Sequence, residues 1–224
     1  MAVNFVQRID DGVKIQNVLA SVSDKAGLDR FVPALLKINP AVRFYSTGGT
    51  FTALREILGG DSKNLVSVSD YTGQPEMQGG LVKTLDFKIY LGLLSETHNP
   101  AHADDLKRTH AVAIDMVIVN LYPFVQTIAK LDATPEIARA NIDIGGPCMV
   151  RASAKNFLRV ASVTDPADYD GVIRELEAGK GVLSLKTRFG LAQKAFSHTA
   201  AYDLAISTYL KGKSYDEVKA CYQV

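Results

Sequence analysis

Cysteine is scarce in this chain: 224 residues hold only Cys148 and Cys221. The two lie far apart and show no Cys-x-x-Cys spacing, so neither a zinc site nor a disulfide framework is indicated and both read as plain thiols. Neither sign of charge dominates. Lysine and arginine total 25 against 24 acidic residues, a net charge of +1, which argues against a broad basic face for nucleic acid but allows a local cationic pocket for one phosphate. Long apolar runs are also missing, since no stretch reaches the roughly 20 residues that a bilayer crossing needs. The opening MAVNFVQRIDDGVKIQN has neither the apolar stretch nor the small-residue cleavage site of a secretory signal. No membrane and no nucleic-acid partner is expected, and the reading is a cytoplasmic protein.

What is present is ordinary for a globular chain: 47% hydrophobic and 22% charged residues, with no repeat, low-complexity tract or linker to divide it. A domain of this size buries roughly 70% of its unfolded surface. The reading is a single domain over 1–224, with a core at about 15–180 and a helical C-terminal segment at about 184–224, packed on the core or used for association. Val18–Val22 reads as a strand, and Ser23-Asp24-Lys25 as a helix start running to about Lys37, with Pro33 inside it. Arg43–Ser46 is the next strand, Thr47-Gly48-Gly49 a turn, and Thr50 to Leu58 a helix. Leu65–Ser69 follows as a strand, Tyr71–Gly80 as a loop and Ile89–Leu94 as a strand-like run. Asp115–Asn120 has four apolar residues between polar ends, the signature of a strand buried on both faces. Thr134-Pro135-Glu136 opens a helix; Val160–Thr164 is a strand, Pro166–Glu177 a helix, and Ser184–Leu210 a long helical segment. This alternation predicts an α/β fold, a mainly parallel sheet flanked by helices.

Ligands of such sheets bind at the carboxyl ends of the strands. Ser-Val-Ser-Asp-Lys at 21–25 and Ser-Thr-Gly-Gly-Thr at 46–50 both bring hydroxyls and backbone N–H groups to a predicted helix start, where a phosphate is favoured. Each taken alone is compatible with plain helix capping by Ser23 or Thr50 and a tight turn at Gly48-Gly49. Gly79-Gly80-Leu81-Val82-Lys83-Thr84-Leu85 sets an ammonium beside a hydroxyl after two glycines. Asn120-Leu121-Tyr122-Pro123-Phe124 follows the most apolar strand. Asn141-Ile142-Asp143-Ile144-Gly145-Gly146-Pro147 places a carboxylate before paired glycines, and Arg151 and Lys155 beyond it share a helix face at i, i+4.

These segments, SVSDKAGL, STGGTFTALRE, VSDYTGQPEMQGGLVKTL, NLYPF and NIDIGGPCMVRASAKN, resemble the cyclohydrolase domain of the bifunctional purine-biosynthesis enzyme whose other domain is AICAR transformylase. The resemblance runs from about Val18 to Tyr169. It implies a fold similar to methylglyoxal synthase and the conversion of 5-formamidoimidazole-4-carboxamide ribotide (FAICAR) to IMP with loss of water. It also implies a homodimer, and a separate formyl-transferring enzyme to supply the ribotide. Carried over residue by residue, it places catalysis on Lys83, Tyr122, Asp143 and Lys155. Phosphate binding falls on Ser23, Lys25, Thr47, Gly48, Gly49, Thr50 and Thr84, with Asn120, Ile144 and Gly145 lining the base. No metal and no organic cofactor is needed for this chemistry. Two other functions share the fold: a methylglyoxal synthase-type lyase, for which His98, His102, His110 and His198 form no catalytic cluster, and a non-catalytic nucleotide sensor, which has no use for the acid–lysine set.

The chemistry implied makes demands of its own. A carboxamide nitrogen is a weak nucleophile and a formamide carbon a weak electrophile, so positioning has to supply much of the rate. The formyl oxygen gains negative charge as the ring closes, and backbone N–H groups near Ile144 and Gly145, with the Lys83 and Lys155 ammonium groups, are suited to meet it. Asp143 is the partner for the amide N–H. Relatives usually read G-R-V-K-T-L-H-P, whereas here Leu81 replaces the arginine, Asp86-Phe87 the His-Pro, and Tyr90 a common histidine. The missing arginine calls for another cation at the phosphate, and Arg43, Lys88 and Arg151 are the candidates to test by geometry.

Overall fold

A computed structural model describes residues 5–60, 62–75 and 82–223. Its centre is a five-stranded, all-parallel sheet in the order β4-β3-β2-β5-β6, formed by β2 (Asn17–Val22), β3 (Arg43–Ser46), β4 (Leu65–Ser67), β5 (Met116–Asn120) and β6 (Ala161–Val163). Side chains alternate across a strand. Val18, Ala20 and Val22 of β2, with Phe44, Met116, Ile118, Ala161 and Val163, therefore enter one core, while Leu19, Tyr45, Val117 and Val119 enter the other. The first face is covered by α1 (Leu28–Ile38), α2 (Gly48–Ile57) and α9 (Tyr169–Ala178). The second is covered by α4 (Phe87–Leu94), α6 (Phe124–Ile128), α7 (Pro135–Ala140), α8 (Gly145–Lys155) and α10 (Leu185–Lys211). The remaining helices are α3 (Val68–Thr72), α5 (Pro100–Arg108) and α11 (Tyr215–Lys219), and a single 3₁₀ turn spans Pro166–Asp168.

The α/β reading with a parallel sheet holds, and several element readings change. Ile89–Leu94 is not a strand but part of α4. Asp86 caps that helix, its carboxylate accepting from the Lys88 N–H at 2.7 Å, and Ile89 and Leu93 are buried at helical spacing. Gly92 lets α4 approach the chain ahead of β5: a Cβ there would lie 2.5 Å from the Val112 carbonyl oxygen. Helix α1 starts at Leu28 rather than at Ser23. Gly27 precedes it at φ 75, with no side-chain cap, and a Cβ at Gly27 would crowd Tyr169 at 3.2 Å. Pro33 is exposed and does not interrupt α1. The fourth strand stops at Ser67, where α3 takes over. Two short strands escape a sequence pattern: β1 (Gly12–Lys14) pairs antiparallel with β7 (Val182–Ser184), beside the main sheet. The long C-terminal helix is as read, with Ser184 capping it through the Thr187 N–H. No helix among the described residues is long and apolar enough to cross a membrane.

Candidate active site

Strand order reverses at β2. The chain lays β3 and β4 on one side of it and then returns to place β5 and β6 on the other, which opens a crevice at the carboxyl ends of β2 and β5. A cavity of about 260 Å³ lies there. It is lined by Ser21–Ser23 and Lys25 at and beyond the end of β2, Thr47–Thr50 after β3, Asn120 and Tyr122 at and beyond the end of β5, Asp143, Gly145, Gly146 and Met149 at the start of α8, and Lys83 and Thr84.

One end is built for an anion. The first N–H groups of α2, from Gly48 onward, have no partner within the helix, and the helix dipole makes that end positive. Gly48 sits at φ +54, and a Cβ there would stand 3.0 Å from Lys83 Nζ; one on Gly49 would stand 3.9 Å from Lys25 Nζ. Two ammonium groups therefore flank the first turn of α2. Lys83 and Thr84 span the cavity, because the next residue reaches the other helix: a Cβ on Gly145 would lie 2.7 Å from Thr84 Oγ1. Thr84 itself is buried.

The other end carries Asp143. Its carboxylate accepts the Gly146 N–H at 2.8 Å, so it serves the open first turn of α8 although Ile144 is the N-cap residue. Burial raises the Asp143 pKa above the usual carboxylate range, and the Gly146 and Tyr122 backbone N–H groups pull it back part of the way. The result is a carboxylate with more basic character than an exposed aspartate.

Several expected site residues have duties within the protein. The Thr50 hydroxyl accepts from the Val22 N–H at 3.0 Å and donates to the Val22 carbonyl at 3.1 Å, so its proton is spent on joining β2 to α2; what Thr50 can offer a ligand is its backbone N–H. Asn120 clamps the β2–α1 loop, accepting from the Asp24 N–H and donating to the Asp24 carbonyl, both at 2.8 Å. Ser23 lines the cavity but caps no helix. Ile144 is half-exposed and not a lining side chain; Gly146 and Met149 hold that wall. Met149 was foreseeable, since it lies one helical turn beyond Gly145.

Lys155 lies apart from this cavity. It occupies the last turn of α8, exposed, and at 1.5 Å rise per residue it is about 15 Å along the axis from Gly145. The spacing that pairs it with Arg151 also carries it away from the cavity. The three proposed substitutes for the arginine are also elsewhere. Arg43 begins β3, at the opposite end of the sheet from the cavity; Lys88 donates to the Tyr71 carbonyl at 3.2 Å and lies over that ring; Arg151 stacks on Phe196. Leu81 lies outside the described residues. Of the other departures, Asp86 works as a helix cap and Phe87 is exposed in the first turn of α4. The Tyr90 hydroxyl is buried against Cys148, and that burial pushes its pKa up. Among the described residues no cluster of three or more His, Cys, Asp or Glu side chains could hold a metal ion.

A parallel sheet with two ammonium groups at a helix N-terminus by its switch point, and a half-buried carboxylate lining the same small cavity, defines an α/β protein with a polar crevice at the carboxyl ends of its strands. The chain belongs to the MGS-like domain family, whose model matches residues 27–149. Residues 153–224 match the AICARFT/IMPCHase bienzyme model. The bifunctional purine biosynthesis protein PurH of Neisseria meningitidis serogroup A is 49% identical over 202 residues, covering 90% of this chain. PurH of Neisseria gonorrhoeae is 50% identical over 200 residues, covering 89%. The chain spans 37% of the length of these relatives, the part that is their IMP cyclohydrolase domain. The crystal structure of ForH superposes with a TM-score of 0.72 at 33% identity, covering 87% of this chain and 97% of ForH.

Proposed function

We propose that this protein is an IMP cyclohydrolase that closes the pyrimidine ring of FAICAR to give IMP and water. The observation that carries the reading is the cavity itself, which holds the Lys25–Lys83 cradle at the first turn of α2 and the half-buried Asp143 carboxylate in one small space. The cradle fixes the phosphate, and binding energy there holds the carboxamide nitrogen against the formyl carbon, a positioning effect worth up to about 7 to 11 kcal/mol. Lys83 and the N-terminal N–H groups of α8 face the oxygen that becomes negative as the ring closes. Asp143, its basicity raised by burial, takes the amide proton. Tyr122 lines the same cavity and is half-exposed at its edge. Similarity to PurH supplies the identity of the ribotide; the two lysines, the glycines and the carboxylate supply a physical reason for it to react here.

The direct test is to incubate the protein with FAICAR and follow the ultraviolet change on IMP formation. Turnover above the uncatalysed rate supports the reading. Saturable IMP binding with no turnover overturns it in favour of a nucleotide sensor.

Two substitutions check the assignment of roles. At Gly146 a Cβ would overlap Asp143 Oδ2 and sit 2.7 Å from Leu121 Cδ2, so Gly146→Ala must displace the carboxylate. Turnover should fall at least tenfold while IMP affinity, measured by calorimetry, stays within about threefold, because the cradle is untouched. Lys155→Ala should leave turnover within about threefold of the parent, because its side chain lies about 15 Å along α8 from the cavity wall. A hundredfold loss in steady-state kinetics would mean that Lys155 serves a cavity other than that of its own chain.

A further inference from the structure

Asp143 lies on the loop between α7 and α8, and a loop carbonyl or carboxylate is only as well placed as its backbone. Here the backbone is held from an unexpected direction. Tyr202, on α10, brings its hydroxyl under the loop, where it accepts the Asp143 N–H at 2.8 Å and points towards the Asn141 carbonyl at 3.4 Å. Its ring is buried and packs edge-on against Phe124, with centroids 6.2 Å apart. Phe124 is the first residue of α6, two positions after Tyr122. One side chain thus touches both segments that deliver candidate catalytic groups: the loop of Asp143 through its oxygen, and the Tyr122-Pro123-Phe124 segment through its ring.

We infer that Tyr202 is a positioning residue for ring closure, holding the Asp143 loop so that the carboxylate keeps its bond from Gly146 and its aim into the cavity. The inference rests on the cyclohydrolase reading for the reaction that it serves, but its physical content, the placement of Asp143, can be measured without turnover. A hydroxyl buried at this position stabilises only if its bonds are made. Phenylalanine in its place leaves the Asp143 N–H without its acceptor, and the loop shifts to find one. The α10 helix supplies its own control. Tyr209, two turns on, also packs edge-on against Phe124, at 5.9 Å, but its buried hydroxyl has no partner among the described residues.

The experiment compares the parent with Tyr202→Phe and Tyr209→Phe, each at a temperature where circular dichroism shows it folded. Two readings are taken: kcat and KM for FAICAR, and the titration of the Asp143 carboxyl carbon by ¹³C NMR. The titratable groups that share the cavity with Asp143 are Lys25, Lys83 and Tyr122, and Tyr202 lies beneath its loop. In Tyr202→Phe, kcat should fall about tenfold or more with KM within twofold. The Asp143 midpoint should move up, because the Gly146 N–H that holds it down is no longer well aligned. Tyr209→Phe should match the parent in both. A Tyr202→Phe protein with lowered thermal stability but parental kcat and parental Asp143 titration would make Tyr202 merely structural and overturn the inference. If the parent itself makes no IMP, the cyclohydrolase reading fails, and the titration alone still decides whether Tyr202 places Asp143.

Discussion

Asp143→Asn should lower kcat for FAICAR by about 10² to 10⁴, the usual contribution of a positioned acid–base group, while IMP binds within about threefold of its parental affinity. The asparagine oxygen can still accept the Gly146 N–H, so the start of α8 keeps its bond. What it loses is the ability to take a proton. The Lys25–Lys83 cradle lies on other segments and should hold the phosphate as before.

The same variant should be more stable than the parent at neutral pH. Asp143 has its pKa raised in the folded state, chiefly by desolvation, so the folded protein holds its proton more tightly than the unfolded chain. Such a group gives stability that is fully present below the unfolded pKa, about 3.9 for aspartate, and that is lost as pH rises through the folded value. Once ionised, the parent's Asp143 carries a desolvated charge that Asp143→Asn does not. Its thermal midpoint should therefore exceed the parental one at pH 7.5, and the gap should close as the pH falls towards 4. Parental turnover should rise with pH through the raised Asp143 value, and that limb should be missing from the residual rate of the variant. A variant that loses kcat together with stability would show that Asp143 matters for folding rather than for proton transfer.

How much of this was legible in the sequence depends on the range over which each signal acts. The central strands were readable because β5 is buried on both faces and must be continuously apolar; Met116 to Val119 leave no other choice. The run Phe87–Leu94 is as apolar, and there the same logic misleads. The helix is recognisable only from the Asp86 cap and the pairing of Ile89 with Leu93. Strands β1 and β7 pair only with each other, beside the main sheet, and so stand outside the strand–helix alternation that marks the others. Of the cavity-lining residues, Lys25 follows β2 and Asp143 and Gly145 stand at the start of α8, where the strand–helix alternation places them, whereas Lys83 and Thr84 lie on a turn ahead of α4 and were legible only through the resemblance. Lys155 lies apart from this cavity because a helix translates as it rotates: i, i+4 spacing keeps it on a face with Arg151, but ten residues of rise separate it from Gly145. Arg43, Lys88 and Arg151, the candidates for a replacement cation, lie elsewhere, whereas Lys25 and Lys83 flank the first turn of α2. Tyr202 had no local signal at all, since its partner lies 59 positions away.

Arg188 is the other residue on which a large effect is expected, and it acts on the frame rather than on the chemistry. It is fully buried near the start of α10. Its five guanidinium N–H groups all donate to carbonyls: Nε to Phe157 at 3.1 Å, Nη1 to Asp11 at 2.9 Å and Leu183 at 2.6 Å, and Nη2 to Asp10 at 2.9 Å and Leu158 at 3.0 Å. Burial draws its pKa down, but guanidinium starts far enough above neutrality to remain charged. Two segments distant in sequence, the strap before β1 and the α8–β6 turn, meet on this one side chain together with the neighbouring β7. Arg188→Met keeps an apolar stem of similar length but strands the carbonyls, each at a cost of about 1 to 3 kcal/mol if it stays dry. Relaxation and water entry offset part of that, and the net loss should be about 3 to 5 kcal/mol, read as a shift in the urea midpoint at unchanged slope. Arg188→Lys should recover less than half, because an ammonium has three N–H groups and no planar fork. A midpoint shift worth less than about 1 kcal/mol in Arg188→Met would show that the strap and the turn are held by the β1–β7 pairing and the apolar core instead. Since α10 also carries Tyr202, loosening its first turns should reach the Asp143 loop, and Arg188→Met should lose kcat at temperatures where it is still folded.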